Sequence, residues 1–506
     1  MSDRVGRWRY PALAFFTGSA VTIFEFSAPN LLRANFGQTI YVWANVIGVI
    51  LGALAVGYTL GGRWADRTES AKPLFWVLAF AGLYGLFVGA AGPGIARWIA
   101  GPDEYEQDAA LGAFIVQSLA ASLMLFGPPL IALGMATPLM VTRAAKNWPV
   151  GRAAGLIFGV GTLGSLAGIY LTTFVLLDRI GTRATILFAA GSLVVVAAIG
   201  LWRVGPRRAA LVILPALLTI PFAHHATWDK LPGGKLVYFA ESPYQLVRVI
   251  DVEENGNVSR WLAFDEGMGT YHSMQLQKDS HWTGAYYDAF ATIPEWVGRE
   301  KMKICIVGNA AGTMSELLQI HHSPDDLEID GVEIDPAVTR AAQEAMGLNL
   351  EEQPALRVFH EDGRRFLMRQ PAGKYDAIVL DAYNRQISIP ASLVTEEFFE
   401  IAKKRLAPGG MLFVNLGTAR PGSRLVRVVA NTMAAGFDSP VYRCPLWRQQ
   451  NVLLVASRDG MVRPPPEDTQ RLVPLSFAPH FSGTETFTDD LCPVERITTQ
   501  DLLLLE

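Results

Sequence analysis

Apolar positions in the first part of the chain come in long unbroken runs, and in the second part at short, alternating spacings. Six runs, at roughly 11–32, 40–60, 73–92, 110–140, 153–177 and 184–202, meet the length of about 20 residues that an α-helix needs to cross a bilayer. A seventh, 209–223, has only 15 residues and carries Pro215 and Pro221, so it either spans or lies in the membrane interface. The fourth run is overlong and contains Gly127-Pro128-Pro129, which predicts a break in that helix.

After residue 243 the period changes. Tyr244–Val252 alternates apolar and polar residues, Asn255-Gly256 supplies a hairpin turn, and Val258–Phe264 reads as the returning strand. From Lys303 onward, candidate strands at 303–308, 327–333, 356–360, 375–381, 410–416, 437–443 and 451–457 alternate with candidate helices at 312–320, 336–346, 363–369, 395–406 and 423–435. Such alternation predicts an α/β domain with a doubly wound parallel sheet, whose ligand sits beyond the carboxyl ends of the strands. The expected organisation is a membrane domain over 1–223, a polar linker over 224–243 and a β-rich subdomain over 244–300. The α/β domain over 301–460 and an extension over 461–506, marked by Pro464-Pro465-Pro466, complete it.

Charge sharpens the division. The 506 residues are 50% hydrophobic and 18% charged, with mean hydropathy +0.24. Residues 1–223 hold 16 Lys/Arg and 9 Asp/Glu, and the remainder holds 27 and 38, so net charges of +7 and −11 make up the −4 of the chain. A multi-span basic region followed by an acidic soluble one fits these figures, and the acidic half argues against nucleic acid as a partner. Cys305, Cys444 and Cys492 form no CxxC and fit a reduced compartment. The histidines show no metal-ligand spacing, so no metal is expected.

Loop charges predict orientation. One set of alternate loops carries Arg4, Arg7, Arg9, Arg63, Arg67, Lys72, Arg143, Lys146, Arg152, Arg203, Arg207 and Arg208. The other carries only Arg33, Arg97, Arg179 and Arg183, with the acids Asp103, Glu104, Glu106 and Asp108. Positive-inside bias therefore predicts a cytoplasmic N-terminus in a bacterial inner membrane. Six spans leave the soluble domain in the cytoplasm, where its small substrates would be; a seventh would put it outside. Glu25 is the one acid deep within an expected span, either functional or a packing residue. Gly155, Gly159, Gly161, Gly164 and Gly168 in the fifth run predict close helix packing. Gly62–Arg67 is similar to the loop between helices two and three of major facilitator transporters.

The chemistry-bearing residues fall at strand ends. The first α/β strand runs into Gly308-Asn309-Ala310-Ala311-Gly312, where glycines allow close approach and a helix N-terminus follows. Glu333 comes 21 positions after Gly312, where an acid can hold a ribose diol. Asp362-Gly363 and Asp381 end the third and fourth strands. Any one acid could be a helix cap; four consecutive strand ends delivering Gly, Glu, Asp and Asp to one rim read as a site.

On these residues, segment 238–457 resembles the spermidine synthase family, the polyamine aminopropyltransferases, which share the S-adenosylmethionine methyltransferase fold and carry an N-terminal β-hairpin subdomain. The membrane half is similar to the multi-helix region fused to some bacterial members. The resemblance implies that Gln245, after Tyr244, touches the nucleoside, with Gly308, Gly312 and Gly363 lining its path. It implies that Glu333 binds the ribose, Asp362 the adenine amine, and that Asp381 is the catalytic residue. Departures touch both the donor and the acceptor. Tyr287 replaces a histidine, Ala311 an aspartate that pairs with the aminopropyl ammonium, and Asn384 an aspartate that holds the diamine; Tyr383 would wall the amine pocket. Losing a charge-assisted hydrogen bond at Ala311 costs about 1.5–3 kcal/mol, and alanine also tolerates the carboxylate of intact S-adenosylmethionine.

The implied activity is a membrane-bound transferase. It would move an aminopropyl or related group from decarboxylated S-adenosylmethionine, or S-adenosylmethionine, to a small amine, with Asp381 as base. The alternatives are an S-adenosylmethionine-dependent methyltransferase and a non-catalytic transporter that senses a nucleoside or polyamine. The lipid bilayer and a small amine are the expected partners; a homo-oligomer stays open.

Overall fold

The computed structural model describes residues 2–36, 40–101, 110–202, 205–218, 234–254, 257–264, 271–277, 280–383, 388–417, 422–446, 451–460, 462, 478–479 and 484–503. The Asn255-Gly256 turn, the acids at 103–108, Arg203, residues 219–233, Asn384 and Pro464-Pro465-Pro466 lie outside the described residues. The chain forms two compact units, residues 1–228 with 241–243, and residues 229–240 with 244–506.

The first unit is helical: α1 (Ser2–Phe36), α2 (Ile40–Arg67), α3 (Lys72–Ala100), α4 (Ala110–Ala144), α5 (Val150–Leu171), α6 (Leu177–Trp202) and α7 (Pro206–Leu218). A π-helical turn, Thr172–Leu176, follows α5. Six of these helices contain stretches long and apolar enough to cross a membrane: Trp8–Arg33, Ile40–Arg67, Lys72–Ala100, Ile115–Ala144, Val150–Leu176 and Arg179–Trp202. The 13-residue α7, which overlaps the seventh run, is not one of them.

Close helix approach depends on small residues. A Cβ on Gly164 would lie 2.0 Å from Phe15 O, and one on Gly168 2.7 Å from Ser19 O. The gap thus closed lets Ser19 Oγ donate to Gly164 O (2.8 Å) and Thr22 Oγ1 to Ser165 O (3.0 Å). Gly155 and Gly159 face open space, so only the later part of that glycine series packs α5 on α1. The expected break at Gly127-Pro128-Pro129 is corrected: α4 runs through it as one helix. Pro128 cannot donate to Met124 O, but Tyr84 OH donates to that carbonyl at 2.7 Å and replaces the missing bond.

The second unit holds two sheets. The smaller has the order β1-β2-β3-β4, with β1 (Lys235–Glu241), β2 (Leu246–Glu254), β3 (Asn257–Phe264) and β4 (Ser273–Met274). β1 falls inside the stretch read as linker. Strands β2 and β3 pair antiparallel, with Val249 opposite Leu262.

The larger sheet has the order β12-β10-β11-β9-β8-β5-β6-β7. Its strands are β5 (Met302–Val307), β6 (Leu327–Glu333), β7 (Leu356–His360), β8 (Tyr375–Leu380), β9 (Leu406–Gly417), β10 (Tyr442–Pro445), β11 (Asn451–Ser457) and β12 (Ala478–Pro479). The five from β5 to β9 are parallel, and the strand order reverses direction at β5 and β8, where a crevice opens. The expectation of a parallel sheet fails at the far edge, because β10, β11 and β12 are antiparallel. Only residues 446–450 join β10 to β11, too few for a crossover, which takes about a dozen. The strand expected at 437–443 begins at Tyr442, since its preceding helix continues to Phe437.

Helices α8 (Ile293–Val297), α9 (Thr313–His321), α10 (Pro336–Ala345), α11 (Gly363–Arg369), α12 (Glu396–Arg405), α13 (Arg424–Phe437) and α14 (Val494–Leu503) complete the unit. Their starts are written in the sequence: Asp335, Asp362, Thr395 and Ser423 each accept a backbone N–H of the helix they precede. Apolar side chains cover both faces, with Phe398, Phe399, Val426 and Leu412 in one cluster and Trp296, Ile304, Leu317 and Phe413 in the other. Strand β8 is buried at every position, as a central parallel strand must be.

Candidate active site

Three strand ends are tied together at the crevice. Gly308 N and Asn309 N donate to Val332 O at 2.9 and 3.1 Å, and Asp381 N donates to Val307 O at 2.9 Å. Gly308 has φ +92°, and a Cβ there would sit 2.4 Å from Asp381 O, so the approach of β5 to β8 requires glycine. Ala310 adopts φ +47°, a left-handed conformation that costs an alanine roughly 1–2 kcal/mol. That conformation aims Ala310 N at Glu333 Oε2, 3.0 Å away.

Glu333 is buried at the end of β6. Its Oε1 accepts from Asp335 N at 3.0 Å, so each oxygen holds one backbone donor and keeps a lone pair for another. Burial raises its carboxyl to about 7, against the opposing pull of these backbone donors. Asp362 caps α11 by accepting from Arg365 N at 2.9 Å. Gly363 follows, and a Cβ there would meet Val307 Cγ1 at 2.3 Å.

Asp381 is held by two side chains. Asn415 Nδ2 donates to Oδ1 at 2.6 Å, and Tyr286 OH donates to Oδ2 at 3.1 Å. Burial pushes the carboxyl up to about 7, while those two hydrogen bonds act to lower it. Asn415 is itself held: Asn451 Nδ2 donates to its Oδ1 at 3.0 Å, and Tyr383 OH donates to its carbonyl at 2.8 Å. Gly417 N donates to Tyr383 OH at 2.7 Å.

These groups surround one cavity of about 280 Å³. Gln245, Gly308, Glu333, Asp362, Gly363, Asp381 and Tyr383 all line it. Gly312, Ala311 and Tyr287 do not. Gly312 precedes α9 with φ +83°, and Ala311 N donates to Ser273 Oγ at 3.1 Å. Tyr287 is buried against Tyr286, with ring centroids 4.0 Å apart, and it is Tyr286 that reaches the cavity and Asp381. The next residue, Asp288, accepts from Thr283 N and Gly284 N, both at 2.8 Å, and so closes its own loop.

Several participants were not anticipated. Asn415 could have been found as the lone polar residue in the apolar run Met411–Leu416. Phe264 and His272 also line the cavity, their rings stacked 4.3 Å apart, and no spacing in the sequence marks them. Among the described residues no group of three or more His, Cys, Asp or Glu is placed to hold a metal ion.

No family model matches the chain. A probable polyamine aminopropyl transferase of Bifidobacterium longum is 28% identical over 231 residues, 46% of this chain and 48% of that protein. Polyamine aminopropyltransferase 2 of Streptomyces coelicolor is 24% identical over 465 residues, 87% of this chain and 79% of that protein, a span that takes in residues of both units. The chain spans about half the length of most of the curated relatives it matches. A crystal structure of spermidine synthase from Thermotoga maritima aligns with TM-score 0.36 and 16% identity, covering 53% of this chain and 88% of that one. The chain is thus related to the spermidine synthase family, as the strand-end residues imply.

Proposed function

We propose that this relative of the spermidine synthase family is a membrane-bound, aminopropyltransferase-like enzyme with Asp381 as its base. The observation that carries the reading is the half-buried Asp381 carboxylate, held by Asn415 and Tyr286 beside a cavity that also presents Glu333 and Asp362. The donor is an S-adenosylmethionine-type nucleoside, with decarboxylated S-adenosylmethionine as the first candidate. The cavity residues fit such a molecule: Glu333 retains acceptor capacity for ribose hydroxyls, Asp362 and Gln245 face the same space, and Gly308 leaves room at the sulfonium end.

In the proposed step a neutral amine attacks the carbon next to sulfur. An N–C bond forms, the C–S bond breaks with its electron pair going to sulfur, and methylthioadenosine leaves. Asp381 orients the attacking amine and accepts the proton released as the new ammonium is neutralised. A carboxyl that titrates near 7 is matched to that task. The four acids that line the cavity, Glu333, Glu361, Asp362 and Asp381, also favour cationic substrates.

A second reading rests on Ala311, which offers no carboxylate to an aminopropyl ammonium. It is transfer of a methyl group from intact S-adenosylmethionine. Incubation of the full chain in detergent with either donor and a panel of amines distinguishes them. Methylthioadenosine release with the decarboxylated donor supports the first reading; methylated product and S-adenosylhomocysteine would replace it with the second. The six apolar helices support insertion in a lipid bilayer, and the loop charges a cytoplasmic N-terminus and soluble unit. A reporter fused after Glu506 that is active only outside the cytoplasm would overturn that placement.

A further inference from the structure

The cavity is not evenly charged. Its four acids divide by strand: Glu333 ends β6, Glu361 and Asp362 follow β7, and Asp381 alone follows β8. In the sheet β6 and β8 flank β5 on opposite sides, so three acids stand to one side of Gly308 and one to the other. The donor reading takes Glu333 and Asp362 for the nucleoside. Among the described residues, Asp381 is then the single carboxylate on the acceptor side of the lining.

Beyond Asp381 the lining turns aromatic. Tyr383 lies two residues on, and its hydroxyl reaches the end of β9, donating to Asn415 O at 2.8 Å and accepting from Gly417 N at 2.7 Å. The two bonds pin the ring and use the hydroxyl proton. His272, also in the lining, has its ring centroid 6.4 Å from that of Tyr383, and Phe264 stacks on His272 at 4.3 Å. Three rings thus form one surface running from the end of β9 to the end of β3. Tyr286, with its OH on Asp381 Oδ2, adds a fourth ring to the lining.

Such a wall discriminates by charge. A ring face attracts a cation, but by less than it costs to strip an ammonium of its water, so a second ammonium has no adequate partner against it. A methylene chain or an aryl group gains by leaving water for the same rings.

We infer that the acceptor is a monoamine, with its amino group at Asp381 and an alkyl or aryl substituent laid against Tyr383 and Phe264, and that a diamine is disfavoured. The inference rests on the transferase reading and deepens it by naming the acceptor class. Bonds and protons balance as before: N–C forms, C–S breaks, and the amine proton leaves on Asp381. Tyr383 exchanges no proton; it is a specificity-determining residue.

The test measures binding apart from turnover, on the full chain in detergent. With the chain saturated with methylthioadenosine, calorimetric titration compares 1,4-diaminobutane with pentylamine, which has a methyl group in place of the second amino group, and with 2-phenylethylamine. The monoamines are expected to bind about tenfold more tightly, the worth of roughly two buried methylene groups. Tyr383→Ser should reduce that preference to about threefold or less, with methylthioadenosine affinity as the check that the variant is folded. A diamine bound as tightly as pentylamine by the wild type overturns the inference and leaves the transferase reading standing, as does an undiminished preference in folded Tyr383→Ser. Preferential monoamine binding with no group transferred from either donor sinks the transferase reading and upholds the monoamine as what this wall selects.

Discussion

Asn415, at the end of β9, donates a 2.6 Å hydrogen bond to Asp381, just past the end of β8. The bond favours the ionised carboxylate, against burial that favours the protonated one. In the wild type, kcat/KM is expected to rise with pH as Asp381 ionises near 7. Asn415→Leu removes one of the two donors and should move that midpoint upward, by about one pH unit for a loss near 1.4 kcal/mol. Asp381→Asn should lower kcat by about 10²–10⁴ while methylthioadenosine still binds. Full turnover in that variant removes the assigned base.

The same burial sets a stability trend. The folded-state carboxyls of Asp381 and Glu333 titrate near 7, above their ordinary values of 3.8 and 4.5. Their contribution is fully present below about pH 4 and is lost as pH rises through about 7, because the folded state then has to give up protons it holds more tightly. Thermal unfolding of the wild type should therefore shift down between pH 5 and 8 by more than that of Asp381→Asn. At pH 8 the variant should be the more stable by about 1–3 kcal/mol. Parallel curves for the two proteins would contradict the raised carboxyl.

Gly308 and Ala310 should respond in opposite directions. Gly308→Ala places a Cβ against Asp381 backbone in a left-handed conformation and should separate β5 from β8. Loss of both nucleoside binding and turnover is expected. Ala310→Gly relieves the positive φ and should raise stability by up to about 1 kcal/mol without loss of binding. Denaturation and nucleoside titration of each variant check the pair.

The α1–α5 contact makes a prediction for the helical unit. Gly164→Ala puts a methyl group 2.0 Å from Phe15 O and should lower the melting temperature in detergent, while Gly155→Ala, facing open space, should leave it unchanged. Equal effects at the two positions would mean that the small residues do not set the approach.

The α/β elements were legible because each depends on local signals. Asp335, Asp362, Thr395 and Ser423 announce helices, and the fully buried β8 reads as a continuous apolar run. The acids at strand ends were legible for the same reason, since strand order brings their loops to one rim. What escaped depends on contacts distant in sequence. Tyr84 supports a proline-bearing helix 40 residues away, and Asn415 reaches Asp381 across 34. The choice between Tyr286 and Tyr287 is one of side-chain direction within a 3₁₀ turn, which residue type cannot decide. The direction of β11 follows from a connection length that is plain only once β10 is placed correctly.

That reversed strand has a consequence for assembly of the protein. Because β11 runs against its neighbours, its first residue, Asn451, arrives at the rim where the other strands finish, and there it holds Asn415. A nascent chain halted before residue 451 already contains Gly308, Glu333, Asp362, Asp381 and Asn415, but not the clamp on the last of them. Ribosomal synthesis thus delivers the acids of the crevice well before the residue that steadies Asn415, and that support becomes available only when the far side of the sheet has been made.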